Sequence, residues 1–132
     1  MQHGEVSLIS RVPHASDSLS GRATPDTVFD PKDHRSHRNR DNMLDNFDKA
    51  ESLAFLWEGT GRTMGQAAIA GILANPAFTT VLPTVVSRDE VVEYAAASDQ
   101  PLDTDERSRL DSLWSRNFDH VNRYEMPLKS SA

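Results

Sequence analysis

Two short strand-like segments, separated by a long helical stretch, limit what this chain can fold into. In residues 5–13, Val6, Leu8 and Ser10 alternate with Ser7, Ile9 and Arg11, and Pro13 stops the run. Residues 78–82 form a β-branched run, Phe-Thr-Thr-Val-Leu, stopped by Pro83. Short alternating or β-branched runs bounded by proline read as strands. The second is apolar on both faces, which predicts a parallel strand covered on both sides. The element order is strand, long loop, two helices, strand, helix, helix, and such alternation predicts an α/β unit with parallel pairing. At 132 residues the chain has the length of one domain. Two strands nonetheless leave the outer edge of each open, an awkward arrangement for an independent fold.

The helices show themselves through periodicity and caps. Met43, Leu44, Phe47, Ala50, Leu53, Ala54 and Trp57 recur at helical steps. That stripe predicts one helix capped by Asp41 or Asn42 and ending near Gly59-Thr60-Gly61. Thr63 and Gln66 form a capping-box pair ahead of Ala67–Ala74, a helix apolar almost all round and therefore buried on most sides. Asn75-Pro76 stops it. Ser87 and Glu90 form a second capping-box pair, opening a helix through Val91, Val92, Ala95 and Ala96. Asp103 and Glu106 open the last helix, with Leu110, Leu113, Trp114 and Phe118 as its stripe. Trp57, Trp114 and Phe118 read as core or interface. Residues 14–40 have no periodicity, and loops that long usually cover a functional site or are disordered. Residues 119–132 read as a tail, frayed at Lys129–Ala132.

Charge and composition exclude several function classes. A formal net charge of −6 argues against a chain whose main task is to coat nucleic acid or an anionic membrane. The absence of cysteine rules out disulfides, thiolate metal sites and Cys nucleophiles. The start, Met1–Glu5, has no basic region, and no apolar stretch of signal-peptide length follows. The run Ala67–Ala74 is far too short for a bilayer span. The expected location is the cytoplasm.

Gly61-Arg62-Thr63, the Gln66-Ala67-Ala68 helix, Asn75-Pro76, Thr79–Pro83 and Ser87–Glu93 closely resemble the C-terminal part of aldo/keto reductases. Upstream, Ser10–Pro13 with Leu19 and Gly21 aligns with the strand-end segment of that family. The resemblance runs from residue 5 to residue 118 and implies a partial (β/α)8 barrel. Residues 5–13 and 78–83 would be its last two strands, with residues 14–40 the long loop beside the cofactor and residues 119–132 a tail outside the 1–118 unit. Barrel chemistry sits at the C-terminal strand ends, which Pro13 and Pro83 mark here.

The resemblance also implies an oxidoreductase that moves hydride between NADP(H) and a small carbonyl substrate. The family's Asp, Tyr, Lys and His tetrad belongs to the first four strands, which have no counterpart in this sequence. Tyr94 and Tyr124 lie on helix or tail, so no catalytic residue is assigned. What carries over is part of the NADP(H) site: Arg11, Pro13, His14, Leu19, Thr84, Ser87, Arg88 and Glu93. Arg11 stands where the family has the Tyr that stacks on nicotinamide. Val86, Glu90 and Tyr94 depart from the pattern that holds the adenosine 2′-phosphate. Arg88 could replace the missing cation, whereas Glu90 would repel a phosphate and reads first as a helix cap.

His34-Arg35-Ser36-His37-Arg38-Asn39-Arg40 is the one concentrated basic cluster. Two histidines without a third ligand do not make a metal site. A phosphate or RNA patch is a second reading, and a solvated loop over the barrel mouth the plainer one. The chain alone is expected to be inactive. The alternatives are a non-catalytic assembly module, through self-association or pairing with a complementary barrel portion, and a nucleotide-binding remnant.

Overall fold

The computed structural model describes residues 6–125. Strand β1 (Leu8–Arg11) pairs in parallel with strand β2 (Phe78–Leu82), with Ile9 opposite Thr80, Ser10 opposite Val81 and Arg11 opposite Leu82. β1 is shorter than the 5–13 run. Val12 takes a left-handed backbone, with φ 57°, and ends the strand before Pro13. Glu5 lies outside the described residues.

The crossover between the strands carries helices α1 (Arg40–Glu51) and α2 (Met64–Leu73). The cap of α1 is Asn39, not Asp41 or Asn42; its side chain accepts from the Asn42 N–H at 3.0 Å. The helix also stops sooner than its stripe suggests. Ser52 Oγ donates to the Lys49 carbonyl at 2.7 Å, and a 3-10 turn at Ala54–Leu56 follows. A serine hydroxyl competes for backbone groups in this way and favours helix ends. The apolar residues beyond the break still pack: Leu56 is buried against Ala67, Ala70 and Leu102, flanked by Leu53, Phe55 and Trp57.

Helix α2 is the hub. Its capping box is closed from both sides, Gln66 N–H to Thr63 Oγ1 at 3.1 Å and Thr63 N–H to Gln66 Oε1 at 3.0 Å. Ala67, Ile69 and Ala70 are buried, Ile69 in a second cluster with Tyr94 and Ala97. Val81 of β2 packs on that cluster. The other face of β2 is open among the described residues: Leu82 is 57% exposed and its neighbour Ile9 is 60% exposed. The cover expected on both faces is thus present on one, because α2 and the helices after it lie on the same side.

Helix α3 (Arg88–Ala95) buries Tyr94, while Val91 and Val92 remain more than half exposed. Tyr94 is drawn inward because Gly65 leaves room for its ring. Helix α4 (Thr104–Ser115) has the expected capping box between Asp103 and Glu106. Arg62 ties it to the core by pairing with Glu106 and donating to the Leu56 carbonyl at 2.9 Å. Leu113 is buried, but Trp114 is 73% exposed and meets Phe118 edge-on, with the ring centroids 6.0 Å apart.

After α4 the chain turns back through a left-handed stretch, Asn117–Asp119, onto α1. There the buried Asp45 carboxylate accepts from His120 Nε2 at 2.8 Å and from the Arg123 and Tyr124 N–H groups at 3.0 Å. Burial alone would raise its pKa, but these hydrogen bonds outweigh it and hold the carboxyl well below the usual range. His120, Arg123 and Tyr124 are therefore tied to α1 despite lacking any periodic pattern; Lys129–Ala132 lie outside the described residues.

Candidate functional site

At the C-terminal ends of both strands lies a cleft of about 700 Å³. One wall is the end of β1, Arg11–His14, and the other is Thr84 and Val86 after β2. The long loop closes it with Ser16, Asp17 and Arg22, and with Lys32–Arg35 and Arg38. Five cationic side chains, Arg11, Arg22, Lys32, Arg35 and Arg38, line it against two carboxylates, Asp17 and Asp33. On a chain of net charge −6 this is a local reversal of sign.

Ion pairs shape the loop. Arg22 reaches Asp17 at 2.8 Å and Glu90 of α3 at 3.0 Å. Arg35 joins Asp17 to Asp33, and the paired guanidinium holds the Asp33 carboxyl well below its ordinary range. Arg11, Lys32 and Arg38 make no ion pair among the described residues, so their charge is free for a ligand. The backbone contributes as well. Ala15, Ser16 and Asp17 are successively left-handed, with φ 47°, 57° and 73°. Such a conformation costs an ordinary residue about 1 kcal/mol or more, and strain of this kind gathers at ligand clamps. The Leu19 N–H to His14 carbonyl bond at 3.1 Å and Ser18 Oγ to the Ala15 carbonyl at 2.8 Å hold the turn. The Ser16 and Asp17 N–H groups have no acceptor among the described residues, the kind of backbone donor that anions use.

His14 fixes this turn to the core. It is 4% exposed, its Nε2 lies 3.1 Å from the Gly65 carbonyl, and its ring tilts on Tyr94 at 4.5 Å. Burial pulls its pKa below the ordinary value. Gly65 is required here: a Cβ at this position would lie 2.8 Å from Tyr94 Cε1.

Of the residues singled out in the sequence, the structure brings Arg11, Pro13, His14 and Thr84 to the cleft, with Val86 beside them. Leu19, Ser87, Arg88 and Glu93 lie outside its lining. Glu93 instead binds α2, its Oε1 accepting from Thr63 Oγ1 at 2.5 Å. Ser87 caps α3, its Oγ accepting from the Glu90 N–H at 3.2 Å. Glu90 does not complete a capping box on Ser87 as the pattern suggested. Its Oε2 accepts from the Val86 N–H at 2.7 Å, one residue upstream, and Arg22 holds its other oxygen. Sequence reasoning missed Arg22 and Lys32, which stand alone in a stretch without periodicity. Arg35 and Arg38 were visible as members of the basic cluster.

Outside the cleft, Asp45, Asp48 and His120 place ligating atoms within 4.8 Å of one another. The Arg123 guanidinium sits on both carboxylates, at 3.1 Å from Asp45 and 2.5 Å from Asp48, and supplies the cation they need. An apolar groove of about 350 Å³ runs between β2 and helices α2 and α3, lined by Ile69, Leu73, Val81, Val91 and Tyr94. No described helix is long and apolar enough to cross a membrane.

A comparison with curated proteins gives no match. The profile of the aldo/keto reductase family matches residues 1–115, nearly the whole chain. That family implies a (β/α)8 barrel, and two parallel strands with four helices fit part of one. The chain belongs to the aldo/keto reductase family.

Proposed function

We propose that this chain supplies the phosphate-binding part of a nicotinamide dinucleotide site, NADP(H) in the family pattern, and does not reduce carbonyls by itself. The cationic cleft at the strand ends carries this reading. Arg11, Lys32 and Arg38 offer charge that no ion pair among the described residues takes up, and the left-handed turn offers the Ser16 and Asp17 N–H groups. Those donors fit a diphosphate, which takes charge-assisted hydrogen bonds from guanidinium and backbone N–H alike. The cofactor, when bound, supplies the hydride; the protein's part is to hold the diphosphate and orient the ring. Arg11 borders the cleft where a ring would be stacked, and His14 holds the turn in place through Gly65. No Tyr with a proton to give reaches the cleft: Tyr94 is buried and Tyr124 lies on the Asp45 side. The proton donor for a carbonyl therefore comes from a barrel portion outside these residues, and so does the bed for a small carbonyl substrate. Titration of the purified chain with NADPH, followed by cofactor fluorescence, tests binding. The same mixture with a simple aldehyde tests turnover, which should be absent.

A second reading, a non-catalytic assembly module, draws on one observation. Ile9, Val12, Leu82 and Val86, each at least 48% exposed, gather at the open face and ends of the two strands. Isolated apolar side chains on a surface are ordinary, but a contiguous set beside an unpaired strand edge favours pairing with a second copy or a complementary barrel portion. Light scattering separates the readings: a single monomeric species across the micromolar range removes self-association. The cytoplasm is the location that goes with either reading.

A further inference from the structure

One nitrogen of His14 takes no part in anchoring the turn. Its Nε2 lies 3.1 Å from the Gly65 carbonyl, which can only accept, so Nε2 carries a hydrogen. In the neutral ring that leaves Nδ1 with a bare lone pair. Nδ1 makes no hydrogen bond among the described residues. No buried side-chain nitrogen or oxygen among them lacks a partner, so Nδ1 is not sealed in protein. His14 is 4% exposed and lines the strand-end cleft, and its small opening faces that cleft.

The groups around this lone pair are mostly donors. The Ser16 and Asp17 N–H groups lie on the same turn, and Arg11, Lys32, Arg35 and Arg38 line the cleft with Asp33 and His34. Close to the ring, Asp17 of the loop and Glu93 of α3 favour a positive charge on it, and Arg22 of the loop opposes one. Tyr94 of α3 stacks on the ring, and α2 presents the Gly65 carbonyl. Burial keeps the ring neutral in the free chain near pH 7. A lone pair repels the phosphate that its neighbours attract, whereas an imidazolium N–H donates to it in a charge-assisted bond. The anion itself favours that charged form, as any opposite charge close by does.

We infer that His14 Nδ1 takes up a proton when a phosphate of the ligand fills the cleft, and so becomes a donor to it. The inference rests on the dinucleotide reading above and adds one residue to its anion-binding set. The proton comes from solvent, because a diphosphate diester brings none of its own near neutral pH. Nε2 keeps its bond to Gly65 throughout, so the turn stays anchored while the ring changes charge.

The test is calorimetric titration of the full chain with NAD⁺ in buffers of different ionisation heat, which counts the protons taken up per ligand. About half a proton or more should enter at pH 7, and affinity should rise about tenfold from pH 8 to pH 6. His14→Gln keeps a donor for the Gly65 carbonyl but cannot titrate, and should abolish both effects. His34→Gln, at the exposed histidine of the same cleft, should preserve both. The proton counts on the unaltered chain and on His34→Gln decide the matter if His14→Gln does not fold. Binding without proton uptake at pH 7 overturns the inference and leaves the dinucleotide reading standing. So does uptake that survives His14→Gln or vanishes in His34→Gln. Failure of NAD⁺ to bind at millimolar concentration overturns the dinucleotide reading and the inference with it.

Discussion

The helical hub around α2 and the strand-end cleft are built on opposite principles. The hub is apolar and mostly local: Ala67, Ala70 and Leu56 come from one stretch of chain, Leu102 joins them from after α3, and the capping boxes at Thr63 and Asp103 close within four residues. The cleft is charged and long-range: Arg22 of the loop reaches Glu90 of α3, and His14 after β1 reaches Gly65 of α2. The hub buries surface, the main source of folding free energy. The cleft holds three successive left-handed residues and three cations with no ion pair among the described residues, features that add little stability and are the ones the proposed ligand would use. Damage to the two regions should therefore read out differently.

The largest effect belongs to the hub. Leu56→Ala should lower stability by about 2–5 kcal/mol in a urea melt, because it empties a site that is 3% exposed. A loss under 1 kcal/mol would mean that the first cluster does not carry the fold. Gly65→Ala comes next and couples the regions. Its new methyl meets the Tyr94 ring, which should cost about 1–3 kcal/mol by overpacking. It should also speed amide exchange in residues 14–19 as His14 loses its seat; unchanged exchange there would separate the turn from the hub. The double change Lys32→Ala with Arg38→Ala should do the reverse. Binding of ADP should fall about tenfold, with stability altered by no more than about 0.5 kcal/mol, since both side chains are exposed and make no ion pair among the described residues.

Acid should separate the regions too, more gently. The folded pKa of His14 lies below its ordinary 6.5, because burial disfavours the charged ring. The unfolded chain then binds the extra proton, so this stability is present above about pH 6.5 and is lost as pH falls below it. Asp45 also has a depressed folded pKa, but a carboxylate's contribution holds until pH falls below its ordinary 3.8. Exchange monitored against pH should show residues 12–19 loosening in a window where residues 120–124 remain protected. Simultaneous loosening of both would contradict the assignment of His14 as the anchor of the turn.

The same contrast explains what the sequence disclosed. The caps at Thr63, Ser87 and Asp103, the proline stops and the parallel pairing are encoded within a few residues each, and they are legible. The break at Ser52 is local but rests on one hydroxyl competing for a carbonyl, which no apolar stripe reports. Tyr94 is buried, and not Val91 or Val92, because Gly65 on another helix makes room for it. Asp45 looks like the polar face of α1 until the returning chain brings His120, Arg123 and Tyr124 to it. The cleft was half legible for the same reason. The strand ends and the basic cluster are sequence features, whereas Arg22 and Lys32 join them only through tertiary structure.

The central claim is that this chain holds a dinucleotide phosphate but lacks the groups that turn it over. One vessel tests it: the purified 132-residue chain with NADH or NADPH and a simple aldehyde, read for cofactor binding by fluorescence and for cofactor oxidation by absorbance. Saturable binding with oxidation no faster than the protein-free blank is the predicted result. Aldehyde-dependent oxidation above that blank, or no binding at millimolar cofactor, would contradict it.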